Sequence, residues 1–280
     1  MQIDTLLQRA ARRLEQAGSS SPRLDAEVLL CHVLGVERSW LYTWGDRDVE
    51  RFAWARFDAL VAARAQGQPI AYLVGEREFW GLRLTTTPAT LIPRPDTETL
   101  VAAALEKAIG DSGRLLDLGT GTGAIALAFA VERPRWEVLG VDREPAAVAL
   151  ASKNAARHKI VNASFRVSDW FDELAGERFD LVVSNPPYIA DDDPHLGQGD
   201  VRFEPRSALV ADEAGMGDLN ALVRQAAEHL EASGWLLLEH GLAQGEAVRE
   251  AMCAHGYAEV STLEDLGRRE RVSLGRAPLR

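Results

Sequence analysis

Two short stretches carry residue types at spacings that can do chemistry. The first is Leu116-Asp117-Leu118-Gly119-Thr120-Gly121-Thr122-Gly123, in which a strand-like run gives way to glycines alternating with threonines, followed by a helix-forming run from Ala124. Glycine lets the backbone approach a ligand closely, and a helix N-terminus favours a carboxylate or phosphate. Asp142 ends the next strand about twenty residues on and can accept from two ribose hydroxyls. Gly119, Gly121 and Ala124 also satisfy the dinucleotide fingerprint, so this loop alone leaves a nicotinamide cofactor open beside S-adenosylmethionine. Asp117 favours the second reading. A carboxylate two residues before the first glycine is awkward beside a pyrophosphate and suits an amino-acid ammonium group.

The second stretch decides between them. Leu181-Val182-Val183 reads as a strand, and Ser184-Asn185-Pro186-Pro187-Tyr188 follows at its C-terminal end, where open α/β sheets bind ligands. The prolines fix the backbone and contribute no N–H to pair the local carbonyls. The Asn185 side-chain oxygen and the Pro186 carbonyl can then both accept from one planar NH₂ group and turn its nitrogen toward a methyl donor. Tyr188 offers an aromatic wall, and Pro187 completes the acceptor loop. A third stretch, Ser168-Asp169-Trp170-Phe171, follows another strand. Asp169 is expected to accept from an adenine amino group and Trp170 to pack on the ring; the alternative is a capping Asp and a core Trp.

Little else competes. His240 stands at a strand end and reads more readily as a structural histidine. Asp191-Asp192-Asp193 reads as a solvated loop. Cys31 and Cys253 lie far apart, and no metal site is expected. With 31 basic and 42 acidic residues the net charge is −11, which disfavours non-specific binding to nucleic acid. No apolar run is long enough for a membrane span. The N-terminal residues carry Asp4 and Glu15, with Leu6, Leu7, Ala10 and Leu14 on one helical face, so they read as a domain helix and not as a transit peptide; a cytoplasmic location is expected.

The elements that must position these residues follow from periodicity. Residues 1–68 read as a small helical domain, with one helix from Pro22 to Gly35 and another from Val49 to Gln66. Residues 69–95 read as a β-hairpin linker. From 96 to 280, strands and helices alternate: strands at 114–117, 137–142, 164–168, 179–184 and 234–239, and helices at 97–109, 123–132, 145–157, 216–232 and 243–254. That alternation predicts an α/β fold with a parallel sheet covered on both faces. The last two strands, 257–262 and 269–274, have no helix between them and predict an antiparallel final hairpin.

Further motifs run through nearly the whole chain. Gly67-Gln68-Pro69-Ile70-Ala71-Tyr72-Leu73, Glu78-Phe79-Trp80-Gly81, Leu91-Ile92-Pro93-Arg94-Pro95-Asp96-Thr97-Glu98, Asp200-Val201-Arg202-Phe203-Glu204-Pro205, Leu238-Glu239-His240-Gly241 with Gln244-Gly245, and Arg271-Val272-Ser273-Leu274-Gly275-Arg276 occur in order. With Asn185–Tyr188 and Ser168–Phe171, this set resembles the bacterial release-factor glutamine methyltransferases. The resemblance implies a seven-stranded, Rossmann-like class I methyltransferase sheet and a small N-terminal helical domain for substrate recognition. It implies S-adenosyl-L-methionine as cofactor and S-adenosyl-L-homocysteine as product. Its substrate is the glutamine of the Gly-Gly-Gln loop of class-1 peptide chain release factors, with no direct nucleic-acid partner. By the same match, Asp117, Gly119, Thr120, Gly121, Thr122, Gly123, Asp142, Asp169, Trp170 and Asn185 hold the cofactor. Asn185, Pro186, Pro187 and Tyr188 hold the glutamine, with Asn185, Pro186 and Tyr188 at the reacting centre. The alternatives are a nucleic-acid amino-methyltransferase acting on adenine or cytosine, a nicotinamide oxidoreductase, and a non-catalytic binding module. The acidic charge and the lack of a basic, aromatic-rich segment disfavour the first.

Overall fold

The computed structural model describes residues 1–278 and separates them into two compact units. The first takes Met1–Glu76 together with Gly197–Phe203; the second takes Arg77–Leu196 and the chain from Glu204 onward.

The first unit is helical: α1 (Ile3–Gln16), α2 (Pro22–Leu34), α3 (Arg38–Thr43), α4 (Arg51–Ala65) and α5 (Ile70–Val74). The apolar stripe of α1, with Ile3, Leu6, Leu7, Ala10 and Leu14, packs against Leu29 and Leu30 of α2 and Phe57 and Val61 of α4. Pro22 opens α2 and Gly35, at φ 67°, closes it. Ser21 does not cap the backbone; its hydroxyl donates to Asp25 Oδ1 at 2.9 Å. Arg64 on α4 pairs with Asp25 at 2.8 Å and with Asp200 at 2.7 Å.

In the second unit, β1 (Glu76–Phe79) and β2 (Leu82–Thr85) form a two-stranded sheet. The expected hairpin over 69–95 is therefore shorter, because Ile70–Val74 is helical and the residues after Thr85 leave the ladder. A seven-stranded sheet follows, built of β3 (Arg114–Leu118), β4 (Glu137–Asp142), β5 (Ala163–Val167), β6 (Phe179–Ser184), β7 (Leu230–Glu239), β8 (Ala258–Glu264) and β9 (Glu270–Arg276), in the order β5-β4-β3-β6-β7-β9-β8. The pairs from β5 to β7 are parallel, and β9 is antiparallel to both β7 and β8, as the missing helix before it predicts. The helices are α6 (Glu98–Lys107), α7 (Ala124–Glu132), α8 (Pro145–His158), the single turn α9 (Asp212–Gly215), α10 (Gly217–His229) and α11 (Gly245–Ala254).

Alternate residues of each central strand enter two separate cores. Leu115, Val138, Val183 and Leu237 join α6 and α7 on one face, while Leu116, Val141, Val182 and Leu236 join α10 and α11 on the other. One boundary differs from the periodicity. The helix expected to run to 232 ends at His229, since Leu230 is buried and pairs with Phe179, and Ser233 at φ 71° lies in the register shift before Trp235. Among the described residues, no helix is long and apolar enough to cross a membrane. The strand order reverses between β3 and β6, so the loops after these two strands open onto one crevice, the topological switch point of the sheet.

Candidate active site

An open cleft lies at that switch point. Its wall includes Gly119, Thr120, Gly121 and Thr122 after β3, Asp142 after β4, Asp169 and Trp170 after β5, and Asn185 and Pro187 after β6. The glycine-loop, acidic and acceptor motifs, spread over seventy residues of chain, are thereby brought to one place.

The loop after β3 owes its shape to its glycines. Gly119 is at φ 71°, and a side chain there would point at the Trp170 ring, whose Cζ3 lies 3.5 Å from the position a Cβ would take. Gly123, at φ 81°, lets α7 start against α8: a Cβ would sit 3.1 Å from those of Ala151 and the Leu127 side chain. Asn154 of α8 ties this loop to β2. Its Nδ2 donates to the Thr122 carbonyl at 2.9 Å and to the Thr85 carbonyl at 3.1 Å, and its Oδ1 accepts from Thr85 N at 2.8 Å.

The two aspartates have different environments. Asp142 accepts from Gly121 N at 2.9 Å through Oδ2 and from Glu144 N at 3.0 Å through Oδ1. Each oxygen keeps a second lone-pair direction, so the carboxylate is anchored and still able to accept a diol. Asp117 does not line the cleft. It is fully buried beneath the loop, where Oδ2 accepts from the Thr120 hydroxyl at 2.6 Å and Ala126 N at 3.3 Å, and Oδ1 has no partner. Burial pushes its carboxyl up to about 7, against the Thr120 and Ala126 hydrogen bonds, with a further push from Asp142.

Around Asn185, Ser184 donates to the Leu118 carbonyl at 2.7 Å and fixes the strand end. Asn185 Nδ2 donates to Thr97 Oγ1 at 3.3 Å. Pro186 and Tyr188 do not line the cleft, nor does Gly123. Tyr188 packs against the α10–α11 core, and burial raises its phenol well above the usual range, with the Glu239 carboxylate adding to the effect. Its carbonyl accepts from Gln244 Nε2 at 3.1 Å; the same amide donates to the Gly215 carbonyl at 3.2 Å and accepts from Gly241 N at 2.8 Å. His240 is buried between the Ser273 hydroxyl and the Gly241 carbonyl, and burial lowers its pKa, so it stays neutral as a structural residue.

Several residues of the site had no role assigned from sequence. Thr97 and Arg94 line the cleft. Glu204, almost fully buried, accepts from Ile92 N at 3.0 Å and pairs with Arg94, which fixes the loop before α6. Glu239 is buried at the end of β7 near Tyr188, Thr97 and Arg271, and its carboxyl is pushed up to about 7 by that burial. Asn154, Glu204, Glu239 and Gln244 act through contacts across long stretches of chain, and their types alone give no sequence signal.

The cleft suits a cofactor that carries a ribose. The glycines leave space for close approach, and Asp142 is fixed to accept a diol; Asp117, beneath the loop, supports the glycine turn from below through Thr120 and Ala126. Among the described residues, no cluster of His, Cys, Asp and Glu is arranged to hold a metal.

Comparison with known proteins identifies the family. Residues 5–75 match the PrmC N-terminal domain and residues 95–199 the methyltransferase small domain. The release factor glutamine methyltransferase of Vibrio cholerae is 53% identical over 98% of this chain and 96% of its own length. That of Pseudomonas aeruginosa is 55% identical over 92% of this chain and 93% of its own. A methyltransferase crystal structure from Pyrococcus furiosus, 18% identical, shares the fold with a TM-score of 0.55 over 71% of this chain and 90% of its own. With identity above 50% to relatives covered over more than nine-tenths of both chains, this chain belongs to the release factor glutamine methyltransferase family and is an S-adenosylmethionine-dependent methyltransferase of the class I fold.

Proposed function

We propose that this enzyme methylates the side-chain amide nitrogen of the glutamine in the Gly-Gly-Gln loop of class-1 release factors, in the cytoplasm where those factors act. One observation carries the reading: Asn185 stands on the cofactor cleft with its Nδ2 committed to Thr97, which leaves its Oδ1 free to accept from an incoming NH₂ group. The names of the relatives supply the substrate class.

When bound, S-adenosylmethionine supplies an electrophilic methyl group on a sulfonium. Asp142 would hold its ribose, while Asp117, buried beneath the loop, would act through the glycine turn it supports. Gly119–Gly123 give the close approach, and Asp169 and Trp170 bound the base. An amide nitrogen is a poor nucleophile because its lone pair is delocalised into the carbonyl. The protein's contribution is therefore orientation, and relief of the positive charge that develops on nitrogen. Asn185 Oδ1 and the Pro186 carbonyl accept the two N–H bonds of the substrate amide and keep its plane fixed. Pro187 and Tyr188 hold the turn that aims these acceptors, the Tyr188 ring being anchored in the α10–α11 core. The helical unit of residues 1–76, matched to the PrmC N-terminal domain over 5–75, recognises the release factor, since every proposed cofactor residue lies at or beyond Asp117.

A second reading, methylation of a nucleic-acid amino group, shares the same acceptor chemistry. The acidic net charge of −11 weighs against it. Incubation with methyl-labelled cofactor and either a purified release factor or total nucleic acid separates the two. Label in the release factor alone is expected; label in nucleic acid alone rejects the proposal.

A further inference from the structure

One residue of the cleft holds a backbone conformation that its side chain disfavours. Trp170 sits at φ 45°, in the left-handed region that glycine enters freely and other residues rarely do. It lines the cleft there, with its ring Cζ3 3.5 Å from the place a Cβ on Gly119 would take. A strained conformation of this kind persists only where the surrounding structure over-determines it, and such residues cluster at functional sites.

The side chain that holds it belongs to Ser168, which is buried. Its hydroxyl works in both directions: Oγ donates to the Trp170 carbonyl at 2.9 Å and accepts from Glu173 N at 3.1 Å. The backbone of Ser168 is itself fixed, since its N donates to the Asp142 carbonyl at 3.1 Å. On the far side of Trp170, Phe171 is buried in the α10–α11 core and stacks on His229 with ring centroids 4.5 Å apart. The chain is therefore pinned on both sides of Asp169-Trp170. A proton donated to the Trp170 carbonyl fixes the plane of the Trp170–Phe171 peptide, and with it the direction in which the ring leaves the backbone. A Trp170 relaxed to negative φ would aim its Cβ elsewhere, and the ring would leave the glycine loop. Ser168 thus joins two parts of the proposed cofactor site, Asp142 through its backbone and Trp170 through its hydroxyl.

We infer that Ser168 is a positioning residue: it holds Trp170 in its left-handed conformation, so that the ring stands ready as a wall for the planar base of the cofactor. This rests on the role proposed above for Trp170 and acts through it, because the Ser168 proton is already committed to the Trp170 carbonyl. A wall set in advance need not be ordered when the base arrives, and binding gains by that saving.

The test is calorimetric titration of the full-length enzyme with S-adenosylhomocysteine. Ser168→Ala removes the hydroxyl and leaves the ring in place; it is expected to weaken binding about tenfold, the scale of one hydrogen bond. Ser168→Thr keeps the hydroxyl and should bind within about threefold of wild type. Trp170→Ala removes the wall itself and should weaken binding at least as much as Ser168→Ala. The double variant Ser168→Ala/Trp170→Ala should bind no worse than Trp170→Ala, because without the ring the hydroxyl has nothing to aim. A residue that only stabilised the fold would add its loss in both backgrounds. Wild-type affinity in Ser168→Ala, equal losses in Ser168→Thr and Ser168→Ala, or multiplied losses in the double variant would overturn the inference. So would a Ser168→Ala chain that does not fold, since the hydroxyl would then serve the whole domain and not the ring. Wild-type affinity in Trp170→Ala overturns instead the role given to Trp170, and the inference goes with it.

Discussion

Replacing Asp142 with alanine removes an acceptor that does two jobs. In the structure its oxygens hold Gly121 N at 2.9 Å and Glu144 N at 3.0 Å, so the carboxylate shapes the loop before it binds anything. With cofactor present it would also take the two ribose hydroxyls. Charge-assisted hydrogen bonds contribute about 1.5–3 kcal/mol each, and part of that is recovered by water in an open cleft, so a net loss of about 2–3 kcal/mol is expected. That is a drop of about 30- to 150-fold in affinity for S-adenosylhomocysteine. Asp142→Asn is the sharper variant. It is isosteric but sets its NH₂ group against one of two backbone N–H donors, so it should bind no better than the alanine variant. Titration calorimetry measures both. Affinity within about threefold of wild type in a folded Asp142→Ala would refute the assignment, and near-normal affinity in Asp142→Asn would refute the role given to the backbone bonds.

Other perturbations have equally definite outcomes. Gln244→Glu sets a carboxylate oxygen against the Tyr188 and Gly215 carbonyls, which Nε2 now serves at 3.1 and 3.2 Å; losing two hydrogen bonds of about 1 kcal/mol each should lower kcat and speed proteolysis within residues 188–216. Gly123→Ala should lower the melting temperature of the cofactor-free enzyme, since φ 81° disfavours a side chain and the new Cβ meets Ala151 and Leu127 at 3.1 Å; an unchanged melting temperature would mean the loop yields easily. Asp117 has a folded-state pKa raised to about 7 from about 4, so between those values the folded cofactor-free enzyme binds more protons than the unfolded chain, and this group's contribution to stability falls as pH rises across that window. Relative to wild type, Asp117→Asn should therefore melt higher at pH 7.5 than at pH 5, as read by thermal denaturation of both proteins at both pH values; a constant difference would contradict the raised pKa.

The residues legible in the sequence are those whose chemistry is local. Leu116–Gly123 and Asn185–Tyr188 announce a loop and an acceptor turn because glycine and proline fix backbone geometry within a few residues. The structure puts the two stretches side by side at the switch point between β3 and β6. The antiparallel end of the sheet was legible as well, from a missing helix. The roles of Thr97, Glu204 and Gln244 were not, although all three stand in the quoted motifs, because each works through partners 56 to 112 positions away: Asn185 for Thr97, Ile92 and Arg94 for Glu204, Tyr188 for Gln244. A threonine or glutamine has no period and no spacing that reveals such a partner. The misplaced end of α10 has a different cause. Glu231-Ala232 suits a helix locally, and the pairing of Leu230 with Phe179 overrides it.

The central claim is that Asn185 Oδ1 and the Pro186 carbonyl hold the glutamine amide by its two N–H bonds. The most direct measurement is peptide mass spectrometry of a release factor after incubation with saturating S-adenosylmethionine and either wild-type or Asn185→Ala enzyme, with a parallel factor carrying Glu in place of the Gly-Gly-Gln glutamine. The account predicts one added methyl on the glutamine side chain with wild-type enzyme, a rate at least ~10²-fold lower with Asn185→Ala, and none on the Glu-substituted loop. Near-normal methylation by Asn185→Ala, or methyl incorporation on the Glu-substituted loop, would contradict it.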